Sequence, residues 1–306
     1  MSRRLTTALA AAAAAAALIV SLAGCATGSS SAGGSAAPTG SSDKPVKIGV
    51  VGKSDPQWPA FVDAAKKEGI TVELVDFGSY EQPNPALTEG ELDLNQFQHI
   101  VYLAQYNVAS GKDLQPIGST AIYPLGLYSK KFKDVTSIPA GGTVAVPDDA
   151  SNQARALLVL QSAGLISLKS GGTIFSDLAD VDTAKSKVKV TALEAAVIPT
   201  SLPDVDAAII NNDFVKDAGL TFKDAIAQDD PKDATAVPYV NIFAAKAADK
   251  DNPTYLKLVE IFQTDAAVQE GLKEASGGVG VPTVLAAADL QKTLTKVEGD
   301  VKSHKG

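Results

Sequence analysis

Arginine, histidine and cysteine are scarce in this chain, and each scarcity excludes something. The one cysteine, Cys25, rules out an intrachain disulfide and a cysteine-built zinc site. The two histidines, His99 and His304, have no cysteine or carboxylate cluster beside them that would complete a metal site. No phosphate-binding loop and no G-x-S-x-G occurs, so neither a metal nor a cofactor is expected. Basic residues number 27 against 35 acidic, a net charge of −8, which argues against nucleic acid as the main partner. The unbroken apolar run at residues 8–20 has 13 residues, too short to span a membrane as a helix. What is plentiful is apolar surface: hydrophobic residues make up 45% of the 306, enough for a real core in one large domain or two smaller ones.

The run at 8–20 follows the positive pair Arg3 and Arg4, the pattern of an export signal over residues 1–24. It leads into Leu22-Ala23-Gly24-Cys25, which resembles a bacterial lipobox. Small residues there admit a peptidase, and the Cys25 thiol is expected to carry lipid, with palmitate among the acyl chains. The Gly-, Ser- and Ala-rich stretch that follows reads as a flexible tether over residues 25–45. Cleavage after residue 24 would remove both Arg3 and Arg4 and leave Arg155 as the one arginine.

The body alternates strand and helix patterns. Strands are expected at 46–51, 71–76, 121–129, 143–146, 188–191, 207–211 and 239–245. Helices are expected at 59–68, 100–109, 151–163, 253–263, 265–275 and 286–302, and such alternation is that of an α/β protein. The helix at 151–163 is expected to open at Ser151. Export, lipidation and α/β alternation together point to a solute-binding protein of an ATP-binding-cassette (ABC) importer, a prior by analogy.

Three segments sharpen that prior: Phe97-Gln98-His99-Ile100-Val101-Tyr102-Leu103, the stretch from Ala121 through Pro124 to Lys131, and Val144 through Asp149, Ser151 and Asn152 to Arg155. With Ala208-Ile209-Ile210-Asn211 and Pro238-Tyr239-Val240-Asn241 they resemble the NlpA/MetQ family of methionine-binding lipoproteins. One departure is visible: Ile100-Val101 stands where similar proteins often have Lys-Pro, which bears on fine ligand preference. The resemblance implies an aromatic and imidazole pocket of Tyr80, Phe97, His99 and Tyr102. It implies carboxylate binding by Arg155 with Asn152 near it, and two amide contacts from Asn211 and Asn241.

Residue chemistry runs alongside the resemblance. A guanidinium holds a buried carboxylate with two parallel hydrogen bonds, a task lysine cannot do. Retaining one arginine in a lysine-rich mature chain fits such a task. Aromatic walls suit a polarisable thioether. Read alone, the cluster of Phe97, His99 and Tyr102 fits a core as well, and Asn211 fits a helix cap.

The expected architecture is a two-lobed periplasmic-binding-protein-like fold of type II, α/β, with two crossover strands. The first lobe spans 46–124 plus 242–306, and the second lobe with the hinge spans 125–241. The expected function is to bind L-methionine between the lobes and deliver it to a membrane permease and its ATPase subunit. The protein is expected to act as a monomer, lipid-anchored on the extracytoplasmic face of the cell membrane. D-methionine, a methionine dipeptide or another apolar amino acid stands as the alternative ligand. An enzyme is the weaker rival, since His99 with Asp93 or Glu91 is its only acid–base pairing. A surface adhesion role fits the anchor but leaves the pocket residues unexplained.

Overall fold

Val46, Ile48 and Val50 are fully buried and form the first strand, β1 (Val46–Val50), in a computed structural model that describes residues 39–305. The export signal, Cys25 and the first part of the tether lie outside the described residues. Along the chain β1, β2 (Val72–Asp76), β3 (Leu94–His99) and β4 (Leu114–Ser119) alternate with α1 (Gln57–Lys67), α2 (Pro83–Glu89) and α3 (Ile100–Ser110). Two short strands follow, β5 (Ala121–Ile122) and β6 (Gly126–Tyr128). The second half holds β7 (Thr143–Pro147), α4 (Ala150–Ser162), β8 (Lys189–Leu193), α5 (Ile198–Ser201), β9 (Ala207–Ile210) and β10 (Ala227–Gln228). The chain ends with β11 (Asn241–Lys246), α6 (Pro253–Thr264), α7 (Ala266–Ala275), β12 (Val281–Pro282) and α8 (Ala287–Lys305).

Two five-stranded sheets result, ordered β2-β1-β3-β11-β4 and β10-β6-β9-β7-β8. β1 pairs in parallel with β2 and β3, and β7 with β8 and β9, as helix crossovers require. β11 returns from the second sheet and runs antiparallel between β3 and β4. The chain therefore passes between the sheets twice, near residues 120–125 and again before Asn241. The expected strand over 121–129 is two strands: Pro124, which has no N–H to donate, lies between β5 and β6.

The first sheet is covered on both faces. On one side Trp58 and Phe61 from α1 meet Phe262 from α6 and Phe243 from β11, with ring centroids 5.3–6.1 Å apart. These edge and tilted contacts favour ring pairs beyond the area they bury. On the other side Ile100 and Leu103 of α3 pack with Leu290, Leu294 and Val297 of α8.

β3 and β4 carry no strand expectation from sequence, and the reason is physical. β3 reads Leu-Asn-Gln-Phe-Gln-His, yet all six residues are buried. Its amides satisfy each other: Asn84 donates to Gln98 at 2.7 Å, and Gln98 donates to Asn84 and Asn95 at 2.6 and 2.9 Å. A central strand buried with paired amides shows no hydrophobic periodicity. β4 holds Pro116, tolerated because β4 is an edge strand. It also holds Gly118, where a Cβ would collide with Val259.

Two boundaries differ from expectation. The tether was expected to run through residue 45, but Gly40 donates to the Lys44 carbonyl at 2.7 Å and accepts from the Thr71 N–H at 2.7 Å. That turn ties residues 40–44 to the first sheet. The helix expected to open at Ser151 opens at Ala150, and its cap is Asp149, which accepts the Asn152 N–H at 2.9 Å. Ser151 instead donates its hydroxyl to Asp149 at 2.8 Å.

Candidate ligand-binding site

The carboxyl ends of the parallel strands in both sheets face each other, where open α/β sheets place their ligands. β3 delivers Phe97 and His99, β7 leads into Asp149 and the first turns of α4, and β9 leads into Asn211. One narrow cleft is lined by all eight expected residues: Tyr80, Phe97, His99, Tyr102, Asn152, Arg155, Asn211 and Asn241. A second narrow space shares Phe97 and Tyr123 with it and is also lined by Asp55, Asp213 and Lys216.

The aromatic side is a mutually braced cluster. Ring centroids of Tyr80, Phe97 and Tyr102 lie 5.7–6.2 Å apart, and Phe214 approaches Tyr80 to 5.0 Å from the other lobe. Tyr102 donates its hydroxyl to the Tyr80 backbone carbonyl at 3.0 Å, which anchors the Tyr102 ring. These rings are therefore both packed and cavity-lining; the two readings open at the sequence level coexist.

His99 caps its own helix. Its Nδ1 accepts the Tyr102 N–H at 3.2 Å, which assigns the proton to Nε2, and Nε2 donates to Asn152 Oδ1 at 3.3 Å. Burial, and then the charge of Arg155, lower its pKa to about 3, so the ring is neutral. Asp93 does not pair with it: its carboxylate accepts from Tyr255 and from the Lys47 N–H, each at 2.9 Å.

The polar side is a chain of amides. Asn152 donates to both oxygens of Asp149 at 2.9 and 3.1 Å and accepts from Asn211 at 2.9 Å and from His99. Both its polar ends are engaged with protein. Asn211 precedes a short 3-10 turn but makes no side-chain cap to it. Its Oδ1 is buried with no partner among the described residues, an acceptor beside the cavity. The side chain of Asn241 likewise has no hydrogen bond within the described residues, and its backbone carbonyl holds the Thr120 N–H at 2.8 Å.

Arg155 is 6% exposed. Its Nε donates to Asp229 Oδ2 at 2.6 Å, and Nη2 donates to Asp229 Oδ1 at 3.2 Å and to the Tyr123 carbonyl at 2.8 Å. The two-pronged edge expected for a ligand carboxylate is thus occupied by a protein carboxylate. Nη1 is left without a protein partner among the described residues.

Three residues that were not singled out from sequence, Asp55, Asp213 and Lys216, help to bridge the two lobes. Tyr80 donates to Asp213 Oδ2 at 2.7 Å, and Lys216 pairs with Asp55 at 2.6 Å. With the His99–Asn152 contact they hold the cleft shut in this structure. Burial, with the like charge of Asp55 second, raises the pKa of Asp213 to about 7 against the pull of Tyr80 and Lys216. Tyr123 and Tyr239 stood within the motifs already noted; Asp213 read only as part of a helix start after Asn211, and Asp229 carried no signal, because an isolated acidic residue in a loop reads as a solvated turn.

Two α/β lobes, two crossovers between them and an enclosed aromatic and polar cleft define a bilobal ligand-binding protein. Residues 46–284 match the family model of the NlpA lipoprotein, and the chain belongs to that family. The probable D-methionine-binding lipoprotein MetQ of Pasteurella multocida is 40% identical over 248 residues, covering 80% of this chain and 88% of the relative. A nutrient-binding protein of Burkholderia cenocepacia, bound to methionine, superposes with TM-score 0.71 at 38% identity, covering 78% of this chain and 99% of that one. Protein PG110 from Staphylococcus aureus superposes with TM-score 0.78 at 37% identity, covering 82% of this chain and 99% of that one.

Proposed function

We propose that this protein is the solute-binding lipoprotein of an ABC importer and that it carries methionine in the cleft. It binds and releases its ligand rather than transforming it. The observation that carries this reading is the cavity itself. Rings that suit a thioether stand on one side, and a buried arginine and free amide groups that suit an amino-acid head group stand on the other. The thioether lies among Tyr80, Phe97 and Tyr102. The ligand carboxylate takes Nη1 of Arg155, and the ammonium takes Asn211 Oδ1 with help from Asn241. Contacts from both lobes to one ligand favour the shut form, which is the form a permease and its ATPase partner would read. The protein works as a monomer, tethered through acylated Cys25 at the extracytoplasmic face of the membrane.

Relatives named for D-methionine make the enantiomer a real choice. Calorimetric titration of protein freed of co-purified ligand, with L-methionine, D-methionine and leucine, tests the class and the hand together. Tight one-to-one binding of either methionine enantiomer over leucine is expected; equal affinity for all three would remove methionine as the ligand. For the anchor, Cys25→Ser is expected to move the protein from the membrane fraction to the soluble fraction.

A further inference from the structure

Arg155 is held from more directions than a side chain awaiting only its ligand would require. Asp229, just past β10, takes the whole Nε–Nη2 edge, with contacts of 2.6 and 3.2 Å. The same carboxylate accepts the backbone N–H of Leu125 at 2.8 Å, where the first crossover joins the second lobe. Nη2 also reaches the carbonyl of Tyr123 in that crossover at 2.8 Å. From the second crossover the ring of Tyr239 lies 4.4 Å from the guanidinium carbon, within range of a cation–π attraction. That ring also meets His99 edge to face, with centroids 5.1 Å apart. One guanidinium thus touches both connections between the lobes, and Asp229 is the group that fixes its plane.

Arg155 is buried and Asp229 partly so, and such an ion pair needs good geometry and further hydrogen bonds to offset desolvation. Here those conditions are met on the side away from the cavity, while Nη1 keeps its donors free. We propose that Asp229 is a positioning residue for capture of the ligand carboxylate, locking Arg155 against both crossovers so that Nη1 alone is offered to the ligand. Carboxylate capture is then sensed where the lobes hinge. The proposal rests on the reading that Arg155 holds the ligand carboxylate. An opposed role exists on electrostatic grounds: Asp229 as a competitor that neutralises Arg155 and weakens the ligand. The two roles predict opposite signs.

The test titrates the native protein, Asp229→Asn and Arg155→Ala with methionine and with methioninol, which has a hydroxymethyl group in place of the carboxylate. Asp229→Asn keeps the shape and an acceptor for Leu125. Loss of an outer partner that orients a binding group typically costs 10–100-fold at metal sites, and about tenfold is expected here for methionine. Methioninol is expected to change little, so the preference for the carboxylate narrows; Arg155→Ala narrows it further. Equal weakening of both ligands by Asp229→Asn would make Asp229 a structural residue, and tighter methionine binding would make it a competitor; either overturns the proposal alone. If Arg155→Ala leaves the preference unchanged, the carboxylate assignment fails and the proposal falls with it. Should Asp229→Asn not fold, Asp229→Ser, which also removes the charge, makes the same comparison with the same two signs.

Discussion

The two walls of the cleft are built from different chemistry. The wall from the first lobe is made of rings, Tyr80, Phe97 and Tyr102, packed at centroid distances near 6 Å. The wall from the second lobe is made of directed polar groups: Asn211 donates to Asn152 at 2.9 Å, and Arg155 pairs with Asp229 at 2.6 Å. Dispersion contacts carry little directional information, so the first wall selects a class of side chain. Hydrogen bonds and a guanidinium fix direction, so the second wall selects a head group. In the proposed reading this division of tasks between the lobes leaves neither half able to recognise the ligand alone.

That division is broken most severely at Arg155. Arg155→Ala is expected to weaken methionine by a few hundred-fold or more, since removing one partner of a buried ion pair costs about 3–5 kcal/mol. Arg155→Lys is expected to bind poorly as well, because an ammonium cannot serve Asp229, the Tyr123 carbonyl and a ligand in one plane. Titration of each variant gives the ratio directly. On the opposite wall, Phe97→Ala and Tyr102→Ala are expected to lose about 1–4 kcal/mol of methionine binding through lost ring contact and the cavity left behind. The fold is expected to survive both. Global unfolding in a thermal melt, with unchanged affinity in the folded fraction, would place these rings in the core and not in the site.

The contacts that join the walls sharpen the comparison further. Asp213 has its pKa raised from 3.8 to about 7 in the shut cleft. A carboxyl with a raised pKa binds its proton more tightly in the shut form. Its contribution to closure is therefore complete below about pH 4 and lost as pH rises through about 7. Asp213 keeps part of its surface in solvent, so the effect is below the full shift. We expect methionine to bind about tenfold more weakly at pH 8 than at pH 5, and Asp213→Asn to flatten that slope. A pH series of titrations on both proteins checks the sign. The smallest effect is expected from Lys216→Ala. The Lys216 side chain is 54% exposed, and an exposed pair contributes about 0.2–1 kcal/mol, a loss of no more than about fivefold.

Much of the site was legible in the sequence because its chemistry is concentrated in short stretches. Phe97, His99 and Tyr102 lie at a strand end and the helix start beside it, and Asn152 and Arg155 lie in the first turns of the helix that Asp149 caps. Helix starts are local features, set by capping residues and apolar periodicity. The scarcity of arginine needed no structure to be noticed. What only the tertiary structure decided is which groups those residues meet. Asp229 lies 74 residues from Arg155 along the chain, and Asp213 lies 133 from Tyr80. Neither pairing leaves a periodicity or a spacing. β3 was hidden for a related reason: its buried amides are satisfied by Asn84, outside the strand, so the rule that buried strands are apolar fails there. Local sequence fixes where a side chain sits on its own element, through backbone preference and capping. Its partner is chosen by the packing of whole elements, because a buried polar group is tolerated only where the fold brings a complementary group to it.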